Sequence, residues 1–351
     1  MNIILESLVK WFAPILVFTT DEIFSLINKE SKSIHEHTFV EIPKNWENNE
    51  LSEKFSLQLL SLNKQILESK YRFEILVCYS IETVNNALLT NTKKFSEKKF
   101  ASSQLKFLGF YNACYYQLKN NGAESAQGNL IIFFDSDVTC EIDWLEKLIR
   151  PFKENNNIKV VAGRTELVTE TTIQQGQLLV TFFDNCKKIK SLHVTKNFFA
   201  NNVAFEKELF LKYKFPIAQK TARTSCAQLA ENLFLDNINI YKQNQAIVYH
   251  RSVSKISELL LRSITEGRDI TMHKVKKYKS PFKRAKIPIK LFSEKFNLLT
   301  CRVSWIKRHG HTAGIPIASC VIAFVYIIIM SISASLTLLL PKYMCSRFFK
   351  I

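Results

Sequence analysis

The run Asn129-Leu130-Ile131-Ile132-Phe133-Phe134, followed at once by Asp135-Ser136-Asp137, constrains this chain more than any other stretch of it. An uncharged run that ends on two aromatic rings reads as a strand buried on both faces of a parallel sheet. In open α/β sheets ligands bind beyond the carboxyl ends of the strands, which is where Asp135 and Asp137 project. Two carboxylates held so close repel each other unless a cation lies between them. The pair therefore calls for a hard divalent ion, Mn2+ or Mg2+, bridging to phosphate oxygens. A plainer reading of the same residues is a strand-to-helix turn in which Asp137 caps the next helix.

The flanks separate these readings. Upstream stand Lys119-Asn120-Asn121-Gly122-Ala123-Glu124-Ser125-Ala126-Gln127-Gly128, and downstream Trp144-Leu145-Glu146-Lys147-Leu148. The combined pattern resembles glycosyltransferase family 2, whose members have the GT-A fold and transfer a sugar from a nucleotide diphosphate donor. The family's pattern is Arg-Asn-x-Gly, three residues, Ala-x-Gly, a strand, Asp-Ser-Asp, and then Trp-Leu opening a helix. Here Lys119 stands for the usual Arg and Asn129 for the usual Asp. Phe199-Ala200-Asn201-Asn202-Val203-Ala204-Phe205-Glu206 is similar to a second family segment, in which a strand near the active site runs into a helix.

The resemblance covers about residues 55–270 and implies an α/β fold, a mixed GT-A (nucleotide-diphospho-sugar transferase, Rossmann-like) sheet with flanking helices. It places Asp135 and Asp137 on the metal, and Asp135, Lys119, Asn120, Gly122 and His250 on the donor. Its acceptor would be a glycan or a lipid-linked molecule, as in bacterial envelope glycan assembly, and transfer would invert the sugar.

Three family features are altered. The first strand, which lines the nucleotide pocket, is not recognisable. The second strand ends in Cys78-Tyr79-Ser80-Ile81-Glu82 in place of Asp-Asp-Gly-Ser. The helix that begins with an acidic pair, one member of which is the catalytic base, begins here with Ser225-Cys226-Ala227-Gln228. The nearest carboxylate to the base position is Glu231, with Asp184 as a second candidate, and either reads equally as a surface acid. A catalytically impaired relic that survives as a membrane-associated binding protein is the rival reading.

With 351 residues and 47% apolar content the chain can bury a sizeable core. A net charge of +17 points to an anionic partner: a membrane face, a nucleotide donor or nucleic acid. The eight cysteines form no C-x-x-C pair and no zinc-like cluster, so they read as reduced thiols in a cytosolic compartment. Met1 to Leu8 carries an early acid and no basic n-region, so no cleavable leader is expected.

Near the other end, Ile315 to Leu340 contains no charge and is long enough to cross the hydrocarbon core as one transmembrane helix. A buried core helix is the alternative. The preceding Arg251 to Thr312 holds sixteen Lys and Arg against four acids, which places that block and the globular domain on the cytoplasmic side. The expected organisation is a helical extension over 1–54, a transferase domain over 55–270, a basic juxtamembrane segment over 271–312, a single-pass helix over 313–341 and a tail over 342–351.

The extension has its own likeness. Trp11-Phe12-Ala13-Pro14-Ile15-Leu16-Val17-Phe18-Thr19-Thr20-Asp21-Glu22-Ile23 resembles the anticodon-binding region of isoleucyl-tRNA synthetases, over roughly the first fifty residues. Neither the His-x-Gly-His nor the Lys-Met-Ser-Lys-Ser motif of those enzymes occurs, which excludes aminoacylation. RNA binding through this piece is a further rival. Nucleic acid is a disfavoured partner, because the basic block adjoins an apolar span and lacks interleaved aromatics with a recognition motif.

Overall fold

The computed structural model describes residues 48–69, 71–84, 86–97, 105–181, 191–217, 224–309 and 316–347. By packing, the chain divides into Met1–Lys54 and Phe55–Ile351. The synthetase-like extension lies almost wholly outside the described residues, as does Asp184.

The first half of the larger unit alternates helix and strand: α1 (Asn48–Leu67), β1 (Ile75–Ser80), α2 (Asn86–Glu97), β2 (Leu105–Phe110), α3 (Tyr115–Ser125), β3 (Leu130–Phe134) and β4 (Val138–Cys140). Next come α4 (Trp144–Glu154), β5 (Val160–Val168), α5 (Thr172–Val180), β6 (Leu192–Thr195), β7 (Asn202–Glu206), α6 (Lys207–Tyr213), α7 (Ser225–Leu235) and β8 (Ile240–Arg251). A helical layer closes the chain: α8 (Ile256–Lys277), α9 (Pro281–Ala285), α10 (Ile287–His309), α11 (Ile317–Leu339) and α12 (Pro341–Arg347).

The strands form two sheets. β1 and β2 pair in parallel, and six strands run β3-β7-β5-β8-β4 with β6 added on β8. Among the described residues no strand joins β1 to β3, in keeping with the absence of a recognisable first strand. β1 is consequently only half-buried along most of its length, although its sequence is as apolar as a central parallel strand. α1 covers the small sheet, with Leu59 packed among Leu105, Ile75, Val77 and Phe107.

β3 departs from expectation in its pairing. Its partner is β7 and the pairing is antiparallel, so the sheet is mixed. Both faces are nonetheless covered. Phe133 enters a cluster with Phe198, Phe205, Phe210 and Phe215 on one side, while Phe134 meets Trp144 on the other at 4.9 Å between centroids. Composition specifies that burial but not strand direction, because an edge strand with two covered faces needs the same residues as a central one.

Asn202 links the layers. It is fully buried, accepts a hydrogen bond from Trp144 Nε1 (2.9 Å), and donates to the backbone oxygens of Arg164 (2.9 Å) and Ala246 (3.0 Å). Gly163 lies beneath it at a register shift between β5 and β8, where a Cβ would collide with the Asn202 side chain and the Ala246 carbonyl.

Candidate active site

The corner after β3 is built by three neighbours. β3 ends at Phe134, and the turn through Asp135 and Asp137 leads into β4 rather than into a helix. Asp137 therefore caps no helix; the N-cap of α4 is Asp143. β4 pairs antiparallel with β8, and the register sets Val138 opposite His250. That register delivers His250 from more than a hundred residues away to the carboxylate of Asp137, with Nε2 3.4 Å from Oδ2. His250, read from sequence as a donor-binding residue, thus stands against Asp137.

The His250 ring is buried, and its Nδ1 lies 2.7 Å from the backbone oxygen of Arg251. A carbonyl only accepts, so that nitrogen carries the proton. In the neutral ring Nε2 then offers its lone pair toward the Asp137 oxygen, which makes two electron-pair donors facing one gap. The Asp137 side chain is 52% exposed, so the gap opens to solvent. A hard divalent cation fits this donor set, with phosphate and water oxygens completing its coordination. Among the described residues no group of three or more His, Cys, Asp or Glu is arranged to hold a metal.

Asp135 has different company. Lys119 Nζ lies 2.6 Å from Oδ1, and the Tyr115 hydroxyl donates to the two carboxylate oxygens at 2.8 and 2.7 Å. Lys119 also donates to the Ala200 carbonyl at 3.0 Å and rests over the Tyr115 and Phe133 rings, 4.9 and 5.5 Å from their centroids. The cation called for beside Asp135 is thus the lysine ammonium. Burial of its hydroxyl end, then the Asp135 charge, raises the Tyr115 pKa well above the ordinary phenol value. The phenol stays protonated as a donor.

Asn120 and Gly122 are packing residues. The Asn120 amide clamps the backbone of Phe215, donating to its oxygen (2.9 Å) and accepting from its nitrogen (3.0 Å). A Cβ on Gly122 would stand 2.7 Å from the Cys78 thiol, so the glycine lets α3 lie close on β1. Glu231 faces α8, where Lys277 Nζ lies 2.5 Å and His273 Nε2 3.7 Å from its carboxylate.

Sequence reasoning missed Tyr115 and Gln58. Tyr115 stands four residues before Lys119, on the same face of α3, and that spacing was the available signal. Gln58 of α1 donates through Nε2 to the Asp135 backbone oxygen at 2.5 Å, which nothing in sequence announces.

A mixed α/β sheet with helices on its faces and an acidic corner at the carboxyl end of β3 is a GT-A-like fold. Residues 115–210, which carry that corner, match the model of glycosyl transferase family 2. The mannosyltransferase PcManGT from Pyrobaculum calidifontis, in complex with GDP-Man and Mn2+, superposes with a TM-score of 0.51, covering 97% of this chain and 100% of its own at 11% identity. GalNAc-T7 with UDP, GalNAc and Mn2+ gives 0.40 over 54% and 40% of the two chains, at 12% identity. A separate likeness is to the isoleucine–tRNA ligase of Pelagibacter ubique (strain HTCC1062), 64% identical over 55 residues. That is 16% of this chain, and the chain spans only 6% of the ligase.

Proposed function

We propose that this protein is a metal-assisted, inverting glycosyltransferase that takes its sugar from a nucleotide diphosphate donor and passes it to a glycan or lipid-linked acceptor at a membrane. The observation that carries the reading is the pairing of Asp137 with His250 next to a charge-satisfied Asp135. Asp137 and His250 would hold Mn2+ or Mg2+, and the bound ion would neutralise the departing diphosphate. Lys119 and Tyr115 hold the Asp135 side chain in one orientation, from which it would meet the donor's ribose. The acceptor proton would pass to a carboxylate, with Glu231 and Asp184 as candidates. Glu231 enters that role only by leaving Lys277. The long apolar α11 and the basic segment before it support association with a membrane from the cytoplasmic side.

The division of the sheet between β1 and β3 favours a second reading, in which the base-binding half of the donor pocket is incomplete and the chain binds without turnover. One experiment separates the two. Purified full-length protein with Mn2+ is offered UDP-, GDP- and dTDP-sugars, and nucleoside diphosphate release is measured. Release from one donor, lost in Asp137→Asn, is the expected result; no release from any donor leaves the binding role.

A further inference from the structure

The polarity of α11 is inverted relative to a core helix. Its buried face consists of Ser319, Ala323, Tyr326, Ile327, Met330, Ser333, Ala334 and Thr337, half of them carrying hydroxyls. Its outward face carries Ile317, Val321, Phe324, Val325, Ile332, Leu336 and Leu339, with Ile317 84% and Leu339 76% exposed. A helix that turns its hydroxyls toward protein and its large hydrocarbons outward is built to meet hydrocarbon.

The inward face is locked to the rest of the fold along its whole length. Near its start, Ser319 Oγ donates to the Thr172 carbonyl of α5 at 3.1 Å, and a Cβ on Gly176 would lie 2.7 Å from the Ile322 side chain. In the middle, the Tyr326 hydroxyl donates to Glu266 of α8, which also holds Lys295 of α10 at 2.7 Å. Farther on, Ser333 Oγ donates to the Ile264 carbonyl at 2.6 Å, and a Cβ on Gly267 would collide with the Met330 carbonyl. The partner helices are not membrane helices. α8 contains the buried Arg268–Asp269 ion pair (2.6 Å), and Arg302 of α10 donates to the Leu179 carbonyl at 2.7 Å.

Twenty-three residues are long enough to cross a bilayer, so length does not decide how α11 meets one. Its attachments do. A crossing would carry Glu266, Lys295, Arg268 and Asp269 into hydrocarbon or tear α11 from them, and ionised groups there are costly. The outward face also continues beyond α11. Phe296 of α10 lies 5.9 Å from Phe324 between centroids, and α9 and the start of α10 carry the largely exposed Phe282 and Ile289 together with the exposed Lys283, Lys286 and Lys290. Exposed apolar side chains and lysines carried together on neighbouring helices are the composition of a surface that settles into an anionic leaflet.

We infer that α11 lies in the plane of a lipid bilayer surface, its Ile317 to Leu339 face sunk among the acyl chains and both its ends on one side, so that the protein is held by one leaflet and does not cross. This rests on the membrane association proposed above and specifies its form. The test uses the full chain, tagged at both termini, in bacterial spheroplasts treated with external protease. Both tags should be protected; loss of the C-terminal tag alone would establish a crossing and overturn the inference. Flotation with vesicles of neutral and anionic phospholipid (7:3) supplies the second arm. The wild type should float, and Val321→Glu with Ile332→Glu should lower the bound fraction at least about tenfold. An unchanged bound fraction would also overturn it. A wild type that never floats, and instead pairs with a second copy, would remove the membrane reading itself.

Discussion

Lys119 Nζ and Asp135 Oδ1 lie 2.6 Å apart at the end of β3, with both side chains largely enclosed. The pair gives Asp135 a fixed positive neighbour, while Asp137 is turned toward the ring of His250. The two acids of one short motif therefore have different partners.

Removing the lysine exposes that division. Lys119→Met should destabilise the fold by about 3 kcal/mol, the order expected when one partner of an enclosed pair is lost. Lys119→Arg, which keeps the charge, should recover most of it. Urea unfolding of both variants measures the difference, and equal losses would show that shape rather than charge matters there.

Metal binding should depend on the other pair. Asp137→Asn and His250→Ala should each weaken Mn2+ binding by at least the roughly 10- to 100-fold that loss of even an outer-shell partner brings. Titration calorimetry on the folded protein, without donor, is the measurement. Equal affinity in His250→Ala would leave the histidine a structural role.

These contacts show what could be read from the chain beforehand. The strand, its two covered faces and the acidic turn follow from a short apolar run ending in carboxylates. Lys119 was readable as the position of the family's Arg, whereas Tyr115, one helical turn before it on the same side, was missed. His250 was readable as a motif residue, but its seat against Asp137 depends on the β4–β8 register, which is fixed by pairing between distant segments. The antiparallel partner of β3 was illegible for a related reason: burial selects side-chain polarity and is indifferent to chain direction. For α11, hydropathy marked its length and its lack of charge. Which side of the helix carries the hydroxyls becomes meaningful only once α5, α8 and α10 are seen against it.

Two glycines should respond differently to alanine. At Gly163 the added methyl meets a triply hydrogen-bonded Asn202 and a backbone carbonyl, so neither neighbour yields, and the cost should reach about 3 kcal/mol. At Gly122 it meets the Cys78 thiol, a single side chain able to rotate, and the cost should be nearer about 1 kcal/mol. Denaturant midpoints of the two variants give the order, and a reversed order would contradict the packing described.

Acid should act on Glu74. Burial alone raises its carboxyl, but the backbone N–H groups of Gln127 and Gly128, together with Lys106 at 3.4 Å, outweigh that and hold the pKa below its ordinary 4.5. A depressed folded value means the contribution is fully present above the unfolded pKa and disappears as pH falls through the folded one. Stability measured from pH 6 down to about 3 should therefore fall less steeply in Glu74→Gln than in the wild type.

Thiol chemistry gives an independent check on burial. Desolvation pushes Cys226 and Cys78 up to about 11, which leaves roughly one thiolate in a thousand at pH 8. Cys114 and Cys301 are exposed. Brief alkylation of native protein should label the exposed pair, and Cys226 and Cys78 only after unfolding; peptide mass mapping reads the order.

The gap between the two sheets has a consequence for cooperativity. Among the described residues no ladder of backbone hydrogen bonds joins β1 to β3, and the small sheet meets the large unit through side-chain contacts such as the close approach of Gly122 to Cys78 and the Glu74 clip. Amide protons of β1 and β2 should then exchange with deuterium through a partial opening that leaves β5 and β8 protected. A division in strand order becomes a division in time, with one part of the molecule breathing while the other stays shut.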